Sequence, residues 1–261
     1  ISYYAIILGY KIFGYNAFGM RFFSVIAYLI LAICTSLFLK KKVGEKASLV
    51  SLLLYSSCYF FFAKHFVRAG DADSIFVMFF GIAIISLGLS NENPNWLNLY
   101  GLMFSLAFLT KSWHAFIFLP CLFFYWLFTK EYKIIKWWQY ITAILCAIIP
   151  ISIWATLRYS FDGITFFKGM LEYDLLNRSS NSIEGHNGYP FYYTSKLLFN
   201  FSQFLCLVIF TWSLIIKYKK KEKFTNLDKL CLISFLSIFI LYAFAKTKIT
   251  WYIYPCCPPL I

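Results

Sequence analysis

Charge is what this chain has least of. Only 13% of its 261 residues are Asp, Glu, Lys or Arg, and only 11 residues are acidic. An ordinary soluble domain carries about 25% charged residues, so a water-solvated surface of normal extent is excluded. Histidine is scarce too, with 3 residues. His65 and His114 have no third partner at a metal-ligand spacing, so the sequence assigns no metal site. The 8 cysteines form no CxxC pair, and most fall inside apolar runs. They read as small buried hydrophobes, not as a disulfide framework or a thiolate metal centre. No internal repeat occurs, and no low-complexity tract beyond lysine-rich loops.

What fills the chain is apolar surface. It is 61% hydrophobic and 23% aromatic, with 31 Phe and 20 Tyr, and its mean hydropathy is +0.69. One soluble core cannot hide that much aromatic surface, but lipid can solvate it. The composition predicts an all-α, polytopic transmembrane helical bundle. Candidate spans are residues 22–39, 47–63, 74–89, 96–110, 115–128, 138–157, 198–216, 230–244 and one from 251 onward, about 8–9 in all. Residues 1–13 read as the end of a further helix or as a re-entrant piece. Residues 96–128 are too long for one helix and are interrupted at Lys111-Ser112-Trp113-His114, which predicts a tight hairpin. The chain opens and ends in mid-pattern, as expected of a fragment truncated at both ends.

The net charge of +13 would suggest nucleic acid in a soluble protein. Here the basic residues sit in loops between spans, which favours a positive-inside bias and contact with membrane lipid. Alternating the spans puts 13 lysines on one side: Lys40, Lys41, Lys42, Lys46, Lys130, Lys133, Lys136, Lys217, Lys219, Lys220, Lys221, Lys223 and Lys229. That side is predicted to be the cytoplasm. The other side receives all the arginines (Arg21, Arg68, Arg158, Arg178), all the histidines, and Asp71 and Asp73. A transport path would place ionisable groups near the midplane, whereas this distribution predicts a site at the outer surface. The one long outer loop, 158–196, begins with Ile164, Phe167, Leu171 and Leu175 spaced as on an interfacial amphipathic helix over 161–176. Residues 177–190, polar and Gly-containing, read as a flexible loop, either functional or a mere connector.

The densest outer cluster is Arg68-Ala69-Gly70-Asp71-Ala72-Asp73, between two apolar runs. Ionisable groups at the end of a span are expensive and tend to be functional or interfacial. Either aspartate could cap the helix starting near Ser74, and Arg68 could snorkel to the interface.

Four ordered patterns extend this reading: Gly9-Tyr-Lys-Ile-Phe-Gly14 through Arg21 to Ser24; Lys64-His65 through Arg68, Asp71 and Asp73; Leu109-Thr110-Lys111; and Lys246-Thr247-Lys248 through Tyr252 to Pro259. Together they resemble the GT-C superfamily of polyprenyl-phosphate-sugar glycosyltransferases, which includes the dolichyl-phosphate-mannose protein mannosyltransferases and lipid A aminoarabinose transferases. The stretch from Gly185 and His186 to Tyr193 is similar to the end of the family's large outer loop. The resemblance implies one transmembrane glycosyltransferase domain over 1–261, partial, with 158–196 as its outer loop. It also implies a first catalytic carboxylate ahead of residue 1.

The implied reaction moves a sugar from a polyprenyl-phosphate donor to a protein, lipid A or glycan acceptor on the extracytoplasmic face. It needs cations aimed at the leaving phosphate and a base for the acceptor proton. Asp73, and then Asp71, are the expected catalytic carboxylates. Arg68, Lys111, Lys248 and Lys246 are the expected donor-phosphate ligands, and His186 and Tyr252 the expected substrate contacts. No cofactor is called for, although a divalent metal is compatible with the pattern. A lysine- and isoleucine-rich composition points to a bacterial inner membrane. The rival readings are a lipid-linked-sugar transporter and a non-catalytic assembly subunit.

Overall fold

The computed structural model describes residues 1–62, 64–177, 188–189 and 191–261, and every regular element among them is helical. The elements used below are α1 (Ser2–Phe13), α2 (Ala17–Lys42), α3 (Glu45–Ser57), α4 (Ala72–Leu89) and α5 (Trp96–Lys111). They continue with α6 (Phe118–Thr129), α7 (Trp137–Gly169), α8 (Tyr192–Phe199), α9 (Phe201–Lys219) and α10 (Asn226–Phe244).

Six segments are long and apolar enough to cross a membrane, not the predicted 8–9: Ala17–Lys42, Ala72–Leu89, Trp96–Thr129, Trp137–Asn177, Phe201–Lys219 and Asn226–Phe244. Three local features account for the difference. The run at 47–63 yields only the 13-residue α3, which ends where Cys58 turns to an extended conformation. Such a helix rises about 20 Å against a hydrocarbon core of about 30 Å. The runs at 96–110 and 115–128 form one continuous helical stretch, but a folded one. Its turn is the 3₁₀ segment Ser112–Ile117, with Ser112 at φ 48°. Tyr100 Oη donates to the Phe118 carbonyl at 2.5 Å, and Leu97 and Trp126 line a common apolar cavity. The last run becomes a 3₁₀ turn, Thr250–Cys256, and a short helix, Cys257–Leu260. Pro255, Pro258 and Pro259 withhold the N–H groups that a span would need.

Helix α4 is the centre of the bundle. Phe76, Val77, Phe80, Ala83 and Leu87 are each at most 2% exposed. In contrast, α7 buries only Gln139, and α9 only Gln203 and Cys206. Their apolar surfaces face what would be lipid. The amphipathic stretch predicted over 161–176 is not a separate helix. It continues α7 through a kink at Gly163 (φ 60°, ψ −159°) and passes into a π-helical turn, Met170–Asn177.

The helix ends gather into two faces. On the lysine face, Lys41 and Lys42 grip Glu92 at 2.5 and 2.6 Å, and Lys217 pairs with Asp228 at 2.6 Å. Gln139 reaches Asn95 at 2.9 Å there, and Asn226 reaches Glu131 at the same distance. The ends of α2, α4, α6, α7, α9 and α10 therefore share one side, as the lysine count predicts. On the opposite face, the Ile1 amino group donates to the Leu109 carbonyl at 3.0 Å, and Trp113 Nε1 to Met170 at 2.9 Å. Both ends of α1 meet this face, so α1 runs along it. The Gly9 and Gly14 pattern has a packing cause: a Cβ on Gly9 would lie 2.0 Å from the Gly19 carbonyl oxygen of α2. Small residues let helix backbones approach this closely in a membrane.

Candidate active site

The loop ahead of α4 is pinned from beneath. Phe66 is fully buried, its ring 5.1 Å from that of Phe61 and 5.7 Å from that of Tyr254. Tyr254 Oη donates to the Lys64 carbonyl at 2.9 Å. Gly70 lets the loop close on α2, since a Cβ there would stand 2.6 Å from the Met20 carbonyl oxygen. With the backbone so fixed, Asp71 takes the N-cap position of α4 and its Oδ1 accepts from the Ala72 N–H at 2.7 Å. The capping alternative thus holds for Asp71, and Asp73 falls in the first helical turn.

Asp73 is 2% exposed. Lys111, in the last turn of α5, donates to its Oδ1 at 2.5 Å. The acid lies at a helix N-terminus and the ammonium at a helix C-terminus, so both backbone dipoles favour the pair. The Lys111 Nζ also lies 5.2 Å from the centre of the Tyr252 ring and 6.0 Å from that of Phe76.

Beside this pair is a second one. His65 Nδ1 and Asp71 Oδ2 form a short contact. His65 has a left-handed backbone, φ 63°, and its ring stacks on Trp251 with centroids 3.7 Å apart. A non-glycine residue at positive φ is uncommon and persists where its surroundings hold it. The two pairs open into one cavity of about 310 Å³, lined also by His114, Asp174, Trp251 and Tyr252. His65, Asp71 and Asp73 bring ligand atoms within 4.8 Å of one another. A divalent cation could be spanned at that distance, but Lys111 already holds Asp73 and His65 holds Asp71, so we assign no metal ligand.

Of the residues predicted from sequence, Asp71, Asp73, Lys111 and Tyr252 line this cavity. Three others do not. Arg68 is exposed and makes no hydrogen bond to a described residue, and Lys246 is exposed as well. Lys248 is 6% exposed, and its Nζ donates to the carbonyls of Tyr242 at 3.1 Å and Ala243 at 2.5 Å. It therefore caps the C-terminus of α10, and burial pushes its ammonium below the usual lysine range. His186 lies outside the described residues. Sequence reasoning missed His65, His114, Asp174 and Trp251. His65 and His114 stand in the outer loops, but no metal-ligand spacing in the sequence singles them out. Asp174 carries no local signal, since only the turn after α7 brings it to the cavity.

With this geometry in hand, comparison with known proteins is informative. Residues 1–155 match the family model described as dolichyl-phosphate-mannose-protein mannosyltransferase. An uncharacterised protein of Aquifex aeolicus (strain VF5) is 26% identical over 267 aligned positions, covering 99% of this chain and 50% of that protein. The crystal structure of ArnT from Cupriavidus metallidurans bound to undecaprenyl phosphate superposes with a TM-score of 0.77 at 16% identity, over 100% of this chain and 48% of that one. Its apo form gives 0.78 at 15% identity, over 99% and 47%. The chain thus spans about half the length of the relatives it matches, and it shares the fold of the two ArnT structures.

Proposed function

The chain belongs to the dolichyl-phosphate-mannose-protein mannosyltransferase family, and from that premise we propose that it is the membrane domain of a glycosyltransferase moving a sugar from a polyprenyl-phosphate donor to a protein, lipid A or glycan acceptor. The reaction takes place at the face opposite the lysines, which is extracytoplasmic, in a bacterial inner membrane. The observation that carries this reading is the buried Asp73–Lys111 pair, with a second carboxylate, Asp71, in the same cavity.

Lys111 is the cation placed to meet the donor phosphate. When the sugar–phosphate bond breaks, its electron pair stays on the phosphate, which passes from monoanion to dianion. A fixed ammonium stabilises that added charge more than it stabilises the donor. Asp73 holds Lys111 in position until the donor arrives, and the reaction also needs a base in the cavity for the acceptor's proton. Tyr252 forms part of the wall, and direct displacement inverts the sugar's anomeric carbon. A phosphate leaves without needing a proton, so the site has no use for a glycosidase-like acid and base pair. The transporter alternative is disfavoured because the buried charges Asp73, Lys248 and Glu131 lie at helix ends, not along a path through the bundle.

The test is transfer of labelled sugar from lipid donor to acceptor membranes by the full-length protein. Asp73→Asn should reduce the rate by about 100-fold or more while the protein still inserts. A variant with near-normal rate would remove Asp73 from the mechanism.

A further inference from the structure

The geometry points to His65 as a catalytic residue, the group that takes the acceptor's proton, with Asp71 as the positioning residue that orients it. This rests on the transfer reaction proposed above and names its base. Neither aspartate is free for that role. Both Asp71 oxygens are engaged, Oδ1 by the Ala72 N–H and Oδ2 by His65. Asp73 is 2% exposed and holds Lys111. His65 uses only Nδ1, towards Asp71, and its ring is clamped against Trp251 at 3.7 Å between centroids. Its Nε2 has no hydrogen-bond partner among the described residues, and the side chain lines the cavity that Lys111 enters.

A carboxylate on Nδ1 fixes the tautomer that carries its proton there and leaves Nε2 as the acceptor. The same carboxylate stabilises the imidazolium that forms. In the step, the acceptor's O–H or N–H gives its proton to Nε2, and the lone pair left on that atom forms the bond to the sugar's anomeric carbon. The carbon–oxygen bond to phosphate breaks, its electrons stay on the phosphate facing Lys111, and the imidazolium later releases its proton to water. The left-handed backbone at His65, φ 63°, is the local strain that turns this ring into the cavity instead of along the loop.

The titratable groups that line the cavity with His65 are Asp71 and Asp73 at the start of α4, Lys111 at the end of α5, His114 from the turn that follows, Asp174 from the turn after α7, and Tyr252 from the Thr250–Cys256 turn. The experiment uses the intact protein in lipid nanodiscs. The donor is radiolabelled lipid-linked sugar extracted from host membranes, and the acceptor is membrane from cells lacking the gene. Wild-type rate should fall as the medium is acidified, because a protonated Nε2 cannot take the acceptor's proton. His65→Asn suits the backbone, since Asn tolerates positive φ. It should lower the maximal rate by about 100-fold or more, with half-saturating donor changed by no more than about twofold, and should abolish the acid limb. His65→Gln should do the same, and Asp71→Asn should shift that limb to lower pH.

His65→Asn transferring within about threefold of wild type would overturn the assignment. So would a wild-type profile with no acid limb, an unchanged limb in the variant, or a loss confined to donor affinity. Loss of activity on chelation, restored by Mn²⁺, would make His65 a ligand instead of a base. A wild-type protein that transfers nothing removes the transfer reading itself. An active wild type with an active His65→Asn variant removes His65 alone.

Discussion

The two ends of this bundle handle charge in opposite ways. At the lysine face, cations and carboxylates meet near the surface: the Lys41 side chain is 57% exposed and that of Glu92 41%. At the other face, the Asp73 side chain is 3% exposed and its Lys111 partner 16%. Exposed pairs gain little because water and salt screen them. A buried pair carries a large desolvation cost and is weak evidence for stability, so its retention in so apolar a chain needs another reason. Glycine packing does not divide the same way. A Cβ on Gly9 or Gly70 at the site end would strike a backbone carbonyl, at 2.0 and 2.6 Å, and so would one on Gly101 towards the lysine end, 2.2 Å from the Ala143 carbonyl oxygen, whereas Gly88 faces side-chain tips of Leu230 and Phe38, at 2.7 and 2.8 Å. One end holds a particular buried pair beside a cavity. The other is a surface that needs only to be positive.

The sharpest way to break this contrast is to neutralise the buried pair in steps. Asp73→Asn or Lys111→Met alone leaves one buried group uncompensated and should destabilise the protein by about 3–5 kcal/mol. The double variant has no orphan charge and should regain most of that stability while remaining inactive in sugar transfer. Thermal unfolding in nanodiscs reads the first quantity and the transfer assay the second. A double variant that regains activity would show that the pair is structural.

The grouping of the lysines on one face was legible from sequence because alternating the apolar runs tests itself: Lys41, Lys130 and Lys217 reach one side only if residues 96–128 turn back as a hairpin. The Asp73–Lys111 pairing was half legible. Each residue could be placed at the same membrane face from its span end, but the 38-residue separation is closed only by α4 packing on α5. Lys248 misled for a physical reason. A lysine after a span looks like a free cation, and only the structure shows its ammonium satisfying the last carbonyls of α10. The span count failed where length and hydropathy diverge, as in α3, whose apolar run outlasts its helix. His65 was visible as a residue but not as a partner. Its role depends on a positive φ and a ring contact with Trp251, far along the chain, and neither leaves a trace in local spacing.

A smaller effect tests the packing side of the comparison. Gly9→Ala forces apart two backbones and should lower stability by about 1–3 kcal/mol, as overpacking does. Gly88→Ala meets only rotatable side chains and should lose clearly less. Equal losses would remove the distinction between a backbone neighbour and a rotatable one. Glu131→Gln is milder again. That carboxyl is 6% exposed, and burial pushes it above the usual range, while its Oε1 accepts from Tyr125 and Asn226 and its Oε2 has no hydrogen-bond partner among the described residues. A raised carboxyl favours the neutral form in the folded state, so the ionised group weakens the fold as pH rises past its ordinary value. Glutamine keeps the acceptor without the charge, and the unfolding midpoint at neutral pH should hold or rise.

The least effect belongs to Glu92, although its contacts are the shortest at the lysine face. Hydrogen bonds from Lys41 and Lys42 hold its carboxyl down at about 2, below an ordinary value of 4.5. The sign is the reverse of the Glu131 case. A depressed carboxylate contributes whatever stability it has above the ordinary value, and loses it as pH falls from 4.5 towards 2. Yet the group is open to solvent, and a screened pair changes its protonation far more readily than it changes the fold. Glu92→Gln should therefore leave the thermal midpoint and sugar transfer at neutral pH unchanged within measurement, and should flatten only a shallow acid loss of stability in that window. A large drop in midpoint would mean that the lysine face also depends on a specific pairing. The distinction between a face that needs positive charge and a face that needs a particular charge in a particular place would then fail.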